Sequence, residues 1–182
     1  MLVAVVGPSG AGKDTLLAGA RVRIGSDDGR FRFVRRSITR PAEAGGEDHE
    51  PLDRTAFLGA RDAGAFALSW EAHGLLYGIP YSITDDLAAG RCVVANLSRG
   101  VLKEADARFP LLVLEITAPA AVLAQRLAAR GREDAETVAS RLAREGPLPA
   151  GLRIRRVAND GPPEAGAAAV AAALIEAAEG RT

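Results

Sequence analysis

The sequence has little cysteine, little aromatic character and no excess of either charge. Its only cysteine, Cys92, cannot form a disulfide within the chain and lies in an apolar run, so we expect a buried thiol in a reducing compartment. The 23 basic and 23 acidic side chains cancel. This balance lacks the strong positive field of dedicated nucleic-acid-binding proteins, so we expect no nucleic-acid partner.

Long hydrophobic runs are also missing. The apolar segment at residues 2–6 is too short for the core of a secretion signal, and the alanine-rich segment at 165–178 has too few large apolar residues to span a bilayer. We therefore expect no membrane association and a cytoplasmic location. Lysine is scarce as well, since Lys13 and Lys103 are the only two. A lysine in a chemically demanding position is therefore informative.

Short apolar runs alternate with helical patterns along the 182 residues, without a repeat or a linker. The patterns predict strands at 1–6, 31–35, 65–70, 91–97, 111–116 and 154–157, and helices at 15–22, 54–63, 81–89, 101–108, 120–130, 135–144 and 164–179. The proline- and glycine-containing segment 37–52 is predicted to be irregular and surface-exposed. This alternation predicts an α/β fold in one domain, with a doubly wound parallel sheet.

A glycine-rich segment follows the first predicted strand and precedes the first predicted helix. It matches the P-loop pattern G-x-x-x-x-G-K and consists of Gly7, Pro8, Ser9, Gly10, Ala11, Gly12 and Lys13. Glycines allow consecutive backbone N–H groups to point at phosphate oxygens, and Lys13 adds a point charge for the β- and γ-phosphates. The alternative is a glycine-rich turn with an exposed lysine, which the flanking strand and helix disfavour.

Asp14 occupies the position after the lysine, where most such loops carry a serine or threonine that binds Mg²⁺. A carboxylate beside a polyphosphate is repelled unless a divalent cation lies between them. The sequence therefore predicts Mg²⁺, held by Asp14 directly, through its water shell, or by the neighbouring Thr15.

Arginines are concentrated at residues 126–145, in a predicted helix end and the helix that follows. This segment contains Arg126, Arg130, Arg132, Arg141 and Arg144. Phosphoryl transfer needs positioned cations and exclusion of water, so we interpret the segment as a lid over transferred phosphate. A solvated helix face is the alternative for any single arginine. The Asn/Thr-Lys-x-Asp motif of switch GTPases is missing, because neither lysine provides it.

Five motifs in this order resemble guanylate kinases over nearly the whole chain. They are the loop GPSGAGK, the segments at 36–40 and 73–78, the lid at 126–134 and the segment at 157–160. The resemblance departs where that family reads guanine with carboxylates, since this chain has Leu68-Ser69-Trp70 and Ala95-Asn96-Leu97 there. Glu43 also lies near the place of a second phosphate-gripping arginine. Unpaired donors of a buried base cost about 1–3 kcal/mol each, so GMP is a poor candidate acceptor.

The same departures resemble the ribose 1,5-bisphosphate phosphokinases of phosphonate breakdown, which share the guanylate kinase fold. The matching features are Asp14 after the loop lysine, Ile-Thr-Arg at 38–40 followed by Ala-Gly-x-Glu-x-His at 44–49, Ala-Leu-Ser-Trp at 67–70 and Asn-x-Ser-Arg at 96–99. The resemblance implies transfer of the γ-phosphoryl group of ATP to α-D-ribose 1,5-bisphosphate. The products would be ADP and 5-phospho-α-D-ribose 1-diphosphate, with Mg²⁺ required.

The resemblance also implies roles for individual residues. Arg40 would clamp an acceptor phosphate in a small subdomain at about 36–80, and Arg130 and Arg141 would close from the lid. Ser37, Thr39 and Tyr77 would orient the acceptor, and further candidates for its sugar and phosphates are Ser69, Asn96, Ser98 and Arg99. Near the adenine of ATP we expect Arg126, Asn159 and Asp160.

Several assignments remain open. His49 is given a binding role and His73 a packing role, because an ionised phosphate acceptor needs no general base. Trp70 is interpreted as a core residue, and Glu47 and Asp48 either place Mg²⁺, hold a loop arginine or lie in a solvated loop. ATP is not distinguished from GTP, and the oligomeric state, including a homodimer, is left open. The competing functions are a divergent guanylate kinase and a non-catalytic guanylate-kinase-like binding module.

Overall fold

A computed structural model describes residues 1–25, 27–42, 47–129 and 146–180. The strands are β1 (Leu2–Val6), β2 (Phe31–Phe33), β3 (Arg36–Ile38), β4 (His49–Pro51), β5 (Phe66–Ala72), β6 (Leu75–Pro80), β7 (Cys92–Asn96), β8 (Leu111–Thr117) and β9 (Ile154–Ala158). The helices are α1 (Lys13–Ile24), α2 (Arg54–Asp62), α3 (Ile83–Ala88), α4 (Leu102–Arg108), α5 (Ala120–Ala129) and α6 (Pro163–Ala178), with a 3-10 turn at Arg99–Val101.

The central sheet has the strand order β2-β7-β1-β8-β9, and all of its pairs are parallel. All five residues of β1, in the middle, are buried. Val3 and Val5 pack in one apolar cluster with α1 and α6, and Leu2, Ala4 and Val6 pack in a second cluster with α3 and α4. Helices therefore cover both faces, and the predicted doubly wound parallel sheet is confirmed.

A second sheet of four strands, in the order β4-β3-β6-β5, lies within the predicted acceptor subdomain. It is mixed, since β3 pairs parallel with β4 and antiparallel with β6, and β5 and β6 form an antiparallel hairpin. The strand predicted at 65–70 belongs to this hairpin. Its partner β6 was not predicted as a strand.

The prediction that segment 37–52 is irregular and exposed is wrong at both ends. Ser37, Ile38 and His49 are buried, and they lie in β3 and β4. Three-residue strands are too short to show alternation, and Pro51 is compatible with β4 because it ends an edge strand, where no ladder donor is required. The pairing of β3 comes from β6, where Ser37 lies opposite Gly78, and β4 pairs in turn with β3.

His73 occupies the turn of the β5–β6 hairpin and is exposed, with a positive φ of 53°. The predicted packing role of His73 is therefore wrong.

Cys92 is a free, buried thiol, as expected, and burial raises its pKa to about 11. The predicted helix at 135–144 lies outside the described residues. None of the described helices is long and apolar enough to cross a membrane.

Helices α1 and α6 approach closely through small residues. A Cβ placed on Gly19 would lie 2.7 Å from the Cβ of Ala167, whereas a Cβ on Gly59 of α2 would meet nothing within 4 Å. We predict that Gly19→Ala lowers the free energy of unfolding by about 1–3 kcal/mol through overpacking, despite alanine's helix propensity. Gly59→Ala should raise it by about 0.5–1 kcal/mol.

Urea denaturation followed by circular dichroism measures both variants against the parent chain. Equal stabilisation by the two substitutions would contradict this account of the α1–α6 contact.

Candidate active site

The predicted P-loop bends where β1 ends and α1 begins. Gly7, Gly10 and Gly12 all have positive φ angles, of 151°, 85° and 84°. A Cβ on Gly7 would lie 2.1 Å from the Ile116 carbonyl oxygen, so no other residue fits there without moving β8. Gly12 also provides no side chain to cap α1, which leaves the N–H groups at this helix start without a side-chain acceptor at the cap position.

Lys13 is held across the loop that precedes it. Its Nζ donates to the carbonyl oxygens of Gly7, at 2.6 Å, and Pro8, at 3.2 Å. The ammonium group is thus positioned over the loop and not extended into solvent. This arrangement suits the point charge expected of a phosphate-binding lysine.

Arg126 and Asn159 flank the loop on the side predicted for the adenine. The Asn159 Nδ2 donates to the Ala11 carbonyl at 2.7 Å, and a Cβ on Gly12 would lie 2.5 Å from that Nδ2 and 3.9 Å from the Arg126 Nη1. Among the described residues, Asn159 Oδ1 and Arg126 Nη1 are buried polar atoms that lack a hydrogen-bond partner. Asp160 is exposed beside them.

The small sheet turns one of its faces toward the carboxyl end of β7. Strand pairing places Trp70 opposite Tyr77, Tyr77 opposite Ile38, and Arg36 opposite His49, so these side chains share a face. The Trp70 indole N–H donates to Ser98 Oγ at 2.8 Å, and Arg36 Nη1 donates to the Asn96 carbonyl at 3.1 Å. These bonds join the small sheet to the central sheet beside the loop.

Asn96 ends β7 and links two carboxylates. Its Nδ2 lies 3.1 Å from Asp14 Oδ1 and 3.2 Å from Glu47 Oε2, and its own Oδ1 is buried without a partner among the described residues. Glu47 also accepts two hydrogen bonds from Arg36, at 2.7 and 2.5 Å. The loop, β7 and the small sheet thus meet in one polar cluster, which we call the cleft network: Asp14, Asn96, Glu47 and Arg36.

Of the roles left open for Glu47 and Asp48, the structure shows arginine binding. Glu47 pairs with Arg36, which is mostly buried, and Asp48 pairs with the exposed Arg35 at 2.9 Å. Thr15, the other predicted magnesium ligand, is exposed on the first turn of α1, as is Asp14. The described residues contain no group of three or more His, Cys, Asp or Glu side chains that could hold a metal ion.

His49, at the start of β4, and Arg40, just after β3, form a compact pair. His49 is buried, and its Nε2 donates to the Arg40 carbonyl at 2.9 Å, while its Nδ1 lies 3.3 Å from Arg40 Nη2. Arg40 lines an open cavity of about 420 Å³ together with Thr39 and Gly74, and its Nε is buried without a partner in the described structure. His49 therefore holds the backbone and side chain of Arg40 in place.

Three of the predicted acceptor residues are not brought to the face that carries Tyr77. Ser37 and Ser69 flank Gly78 on the opposite face, and Ser37 donates to Glu50 Oε2 at 2.9 Å. Thr39 Oγ1 accepts from the Leu76 N–H at 2.8 Å and lines the cavity beside Arg40. Ser37 and Thr39 thus make bonds within the small sheet.

Arg99, another predicted acceptor residue, follows β7 and reaches across to β8. Its Nη2 lies 3.4 Å from Glu115 Oε1, and Arg156 Nε donates to the other oxygen of Glu115 at 2.9 Å. Glu115 is buried beside the last residue of β1, with which it is paired. The two arginines balance this buried carboxylate, as burial of a charge requires.

The sequence interpretation missed Arg36 and Glu115. Arg36 lies in a three-residue strand that is too short to show alternation, so the sequence gives no local signal for the face that carries its side chain. Glu115 is an acid within the apolar run at 111–116, and a buried charge in such a run needs a partner. The predicted lid residues Arg130 and Arg141 lie outside the described residues.

No protein-family model matches the chain. Curated proteins of several bacteria are nevertheless clearly similar. The chain is 54% identical over 137 residues to the ribose 1,5-bisphosphate phosphokinase PhnN of Brucella melitensis biotype 2. The aligned region covers 75% of this chain and 71% of that relative. It is 47% identical over 138 residues to the protein of the same name in Agrobacterium fabrum, with 75% of each chain covered. This chain belongs to the ribose 1,5-bisphosphate phosphokinase family.

A longer protein also matches. The chain is 55% identical over 135 residues to the bifunctional ribose 1,5-bisphosphokinase-thymidine phosphorylase of Azorhizobium caulinodans, and the match covers 74% of this chain and 19% of that protein. The chain thus corresponds to one part of that relative.

Solved structures support the fold. The guanylate kinase of Anaplasma phagocytophilum superposes with a TM-score of 0.69 at 18% identity, over 97% of this chain and 85% of that one. A gluconokinase of Sinorhizobium meliloti gives a TM-score of 0.54 at 18% identity, over 98% and 93%. At these identities the likeness concerns the fold, which is that of a guanylate-kinase-like P-loop kinase.

The close packing at Gly12 gives a test of the loop. We predict that Gly12→Ala weakens ATP binding at least about tenfold, because its Cβ would displace the Asn159 amide that braces Ala11. Gly90→Ala is the matched control, since Gly90 also has positive φ, at 77°, but has open space around it.

Both variants should lose about 1–2 kcal/mol of stability from the left-handed backbone. Calorimetric titration with ATP measures the binding. An unchanged affinity for ATP in the Gly12 variant would contradict the conclusion that the Asn159 amide supports the loop.

Proposed function

We propose that this chain transfers the γ-phosphoryl group of ATP to the 1-phosphate of α-D-ribose 1,5-bisphosphate. The products are ADP and 5-phospho-α-D-ribose 1-diphosphate. The observation that carries the proposal is the cleft network, in which Asn96 connects the P-loop residue Asp14 to the small sheet through Glu47. A phosphate-binding loop and an arginine-bearing sheet thereby face the same space.

The chemistry requires positioning and electrostatic stabilisation. An ionised oxygen of the acceptor's 1-phosphate attacks the γ-phosphorus of ATP, a new P–O–P bond forms, and the bond from the γ-phosphorus to the β,γ-bridging oxygen breaks with its electron pair leaving on ADP. Lys13 and the loop N–H groups hold the phosphates of ATP. No general base is needed, which agrees with the engagement of the His49 nitrogens by Arg40 and backbone carbonyls.

Magnesium fits the residues at the start of α1. Asp14 carries an exposed carboxylate and Thr15 an exposed hydroxyl on the first turn of α1, and both are oxygen donors of the kind Mg²⁺ prefers. Mg²⁺ bound there with ATP would neutralise charge on the β- and γ-phosphates. Asp14 is the principal ligand in this proposal, and Thr15 is the alternative.

The cleft carries apolar residues where a base would need carboxylates, and it carries arginines that suit phosphate. Leu68 and Ala95, where the resemblance to guanylate kinases places base-reading carboxylates, are buried apolar residues. Arginine guanidiniums, by contrast, match phosphate geometry, and Arg40 has a buried N–H group available for one. A bisphosphorylated sugar has two phosphates and hydroxyls but no base edge, so it suits these side chains.

Further parts of the proposal come from the resemblance and from composition. Arg126 and Asn159 lie near the adenine of ATP, and Arg130 and Arg141 of the lid stabilise the transferred group. The substrate is a small molecule, and the reaction belongs to phosphonate breakdown. ATP use and the unpaired Cys92 support a cytoplasmic location.

The two lysines of the chain provide a matched test of the catalytic assignment. We predict that Lys13→Ala lowers kcat with ATP and ribose 1,5-bisphosphate by at least about a thousandfold, because the transition-state charge loses the ammonium group held over the loop. Lys103→Ala, at an exposed position of α4, should leave kcat unchanged. Product is measured by phosphorus NMR, and a Lys13 variant that retains a tenth of the parent rate would contradict the P-loop mechanism.

Acceptor recognition is tested separately at Arg40. We expect Arg40→Ala to raise the KM for ribose 1,5-bisphosphate about tenfold or more while the KM for ATP changes little, because one charge-assisted phosphate contact is lost. Arg61→Ala, an exposed arginine on α2, is the control. GMP is offered in parallel, and faster turnover of GMP than of the sugar bisphosphate would overturn the acceptor assignment.

A further inference from the structure

The side chain of Arg36 covers an aromatic surface in the cleft that would otherwise suit a nucleobase. We propose that Arg36 and Glu47 are specificity-determining residues, which exclude nucleotides from the acceptor side by occupying the ring faces of Trp70 and Tyr77. This inference deepens the proposed function, on which it rests.

The aromatic surface is formed by a cross-strand pair. The rings of Trp70 and Tyr77 lie nearly parallel, at 9°, with centroids 5.4 Å apart, on the face of the small sheet that is joined to β7. Paired aromatic rings of this kind attract any planar base, whatever the pattern of hydrogen-bond donors and acceptors on its edge, because every base has a π-face. An uncovered pair beside a P-loop would therefore bind nucleotides without discrimination.

Arg36 occupies this surface. Its guanidinium carbon lies 4.9 Å from the centroid of Tyr77 and 5.8 Å from that of Trp70, within the range of a cation–π contact with each ring. The side chain is only 11% exposed. A planar, charged group thus lies where a planar base would stack.

Glu47 and β7 fix the guanidinium in that position. Glu47 accepts from Arg36 Nε and Nη2 in a two-pronged arrangement, and the Asn96 carbonyl accepts from Nη1. To uncover the rings, a nucleotide must break these charge-assisted bonds and leave Glu47, which is 15% exposed, without its cation. Loss of one partner of a buried ion pair is strongly unfavourable, so a stacking base does not recover the loss.

A sugar bisphosphate does not meet this obstacle. It has no planar ring to stack, and it can use the cleft with Arg36 and Glu47 still paired. The Arg36–Glu47 pair therefore discriminates between nucleotides and sugar bisphosphates, because only a stacking base must break the pair. No direct contact between the pair and the sugar is required.

Trp70 provides a direct readout, since it is the only tryptophan in the chain. Its fluorescence is measured during titration with GMP or AMP, with ADP held at saturation so that the donor site is filled. The test variant is R36A/E47A, which removes both charges and leaves no buried ion alone. We expect its Trp70 fluorescence to be quenched by either monophosphate with a Kd at least about tenfold lower than that of the parent chain.

The matched control is R35A/D48A. It removes an arginine and a carboxylate from the same two segments, one residue away, but both of these side chains are exposed and they pair with each other at 2.9 Å. The control should bind monophosphates as the parent does. Equal tightening in the control and the test variant would overturn the proposal, because a general loss of negative charge in segment 47–48 would then explain the effect.

Two further measurements make the result decisive. If R36A/E47A fails to fold by circular dichroism, R36Q/E47Q keeps the volume and removes the charges, and it should show the same direction of change. Unchanged monophosphate affinity in a folded variant overturns the proposal. Turnover of ribose 1,5-bisphosphate by the parent chain is assayed separately, so failure of the proposed reaction is distinguished from failure of the specificity assignment.

Discussion

The close approach between the end of β1 and the backbone of β8 determines where the active-site loop turns. At Gly7 the chain passes the Ile116 carbonyl so closely that a single carbon atom could not be added between them. The buried parallel strand fixes the start of the loop, and the positive φ angles at Gly10 and Gly12 fix its curl. Lys13 then begins α1 with its ammonium group folded back over the loop, so the position of the main cation follows from backbone packing and not from side-chain partners alone.

Charge balance governs the rest of the cleft. Asp14 and Glu47 would repel each other, and Asn96 lies between them with its amide N–H group directed at both. Arg36 neutralises Glu47 from the other side, and Arg99 and Arg156 do the same for the buried Glu115. The cleft therefore keeps its carboxylates near phosphate-binding groups without an uncompensated buried charge, which a binding site for polyanions needs.

The central sheet and the loop could be predicted from the sequence, because their signals are local. Buried parallel strands give continuous apolar runs, and the loop has a glycine spacing that is typical of a phosphate-binding turn between a strand and a helix. The small sheet could not, since β3 and β4 have three residues each, β3 is held by pairing with the distant strand β6, and β4 is held by β3. For the same reason the sequence could not assign sides: Ser37 and Ser69 were grouped with Tyr77, and the register separates them. Arg36 was missed because its partners, Glu47 and Tyr77, come together only through that register.

Cys92 has a practical consequence. Its sulfur is enclosed in the apolar cluster under α1 and α6, and its raised pKa keeps it protonated at neutral pH, whereas the thiolate is the form that attacks thiol reagents. A cysteine introduced at a solvent-facing position such as Val22, which is 81% exposed, would therefore react selectively with a maleimide. The native chain thus already serves as a background for attaching a single spectroscopic label, with no need to remove its own sulfhydryl group first.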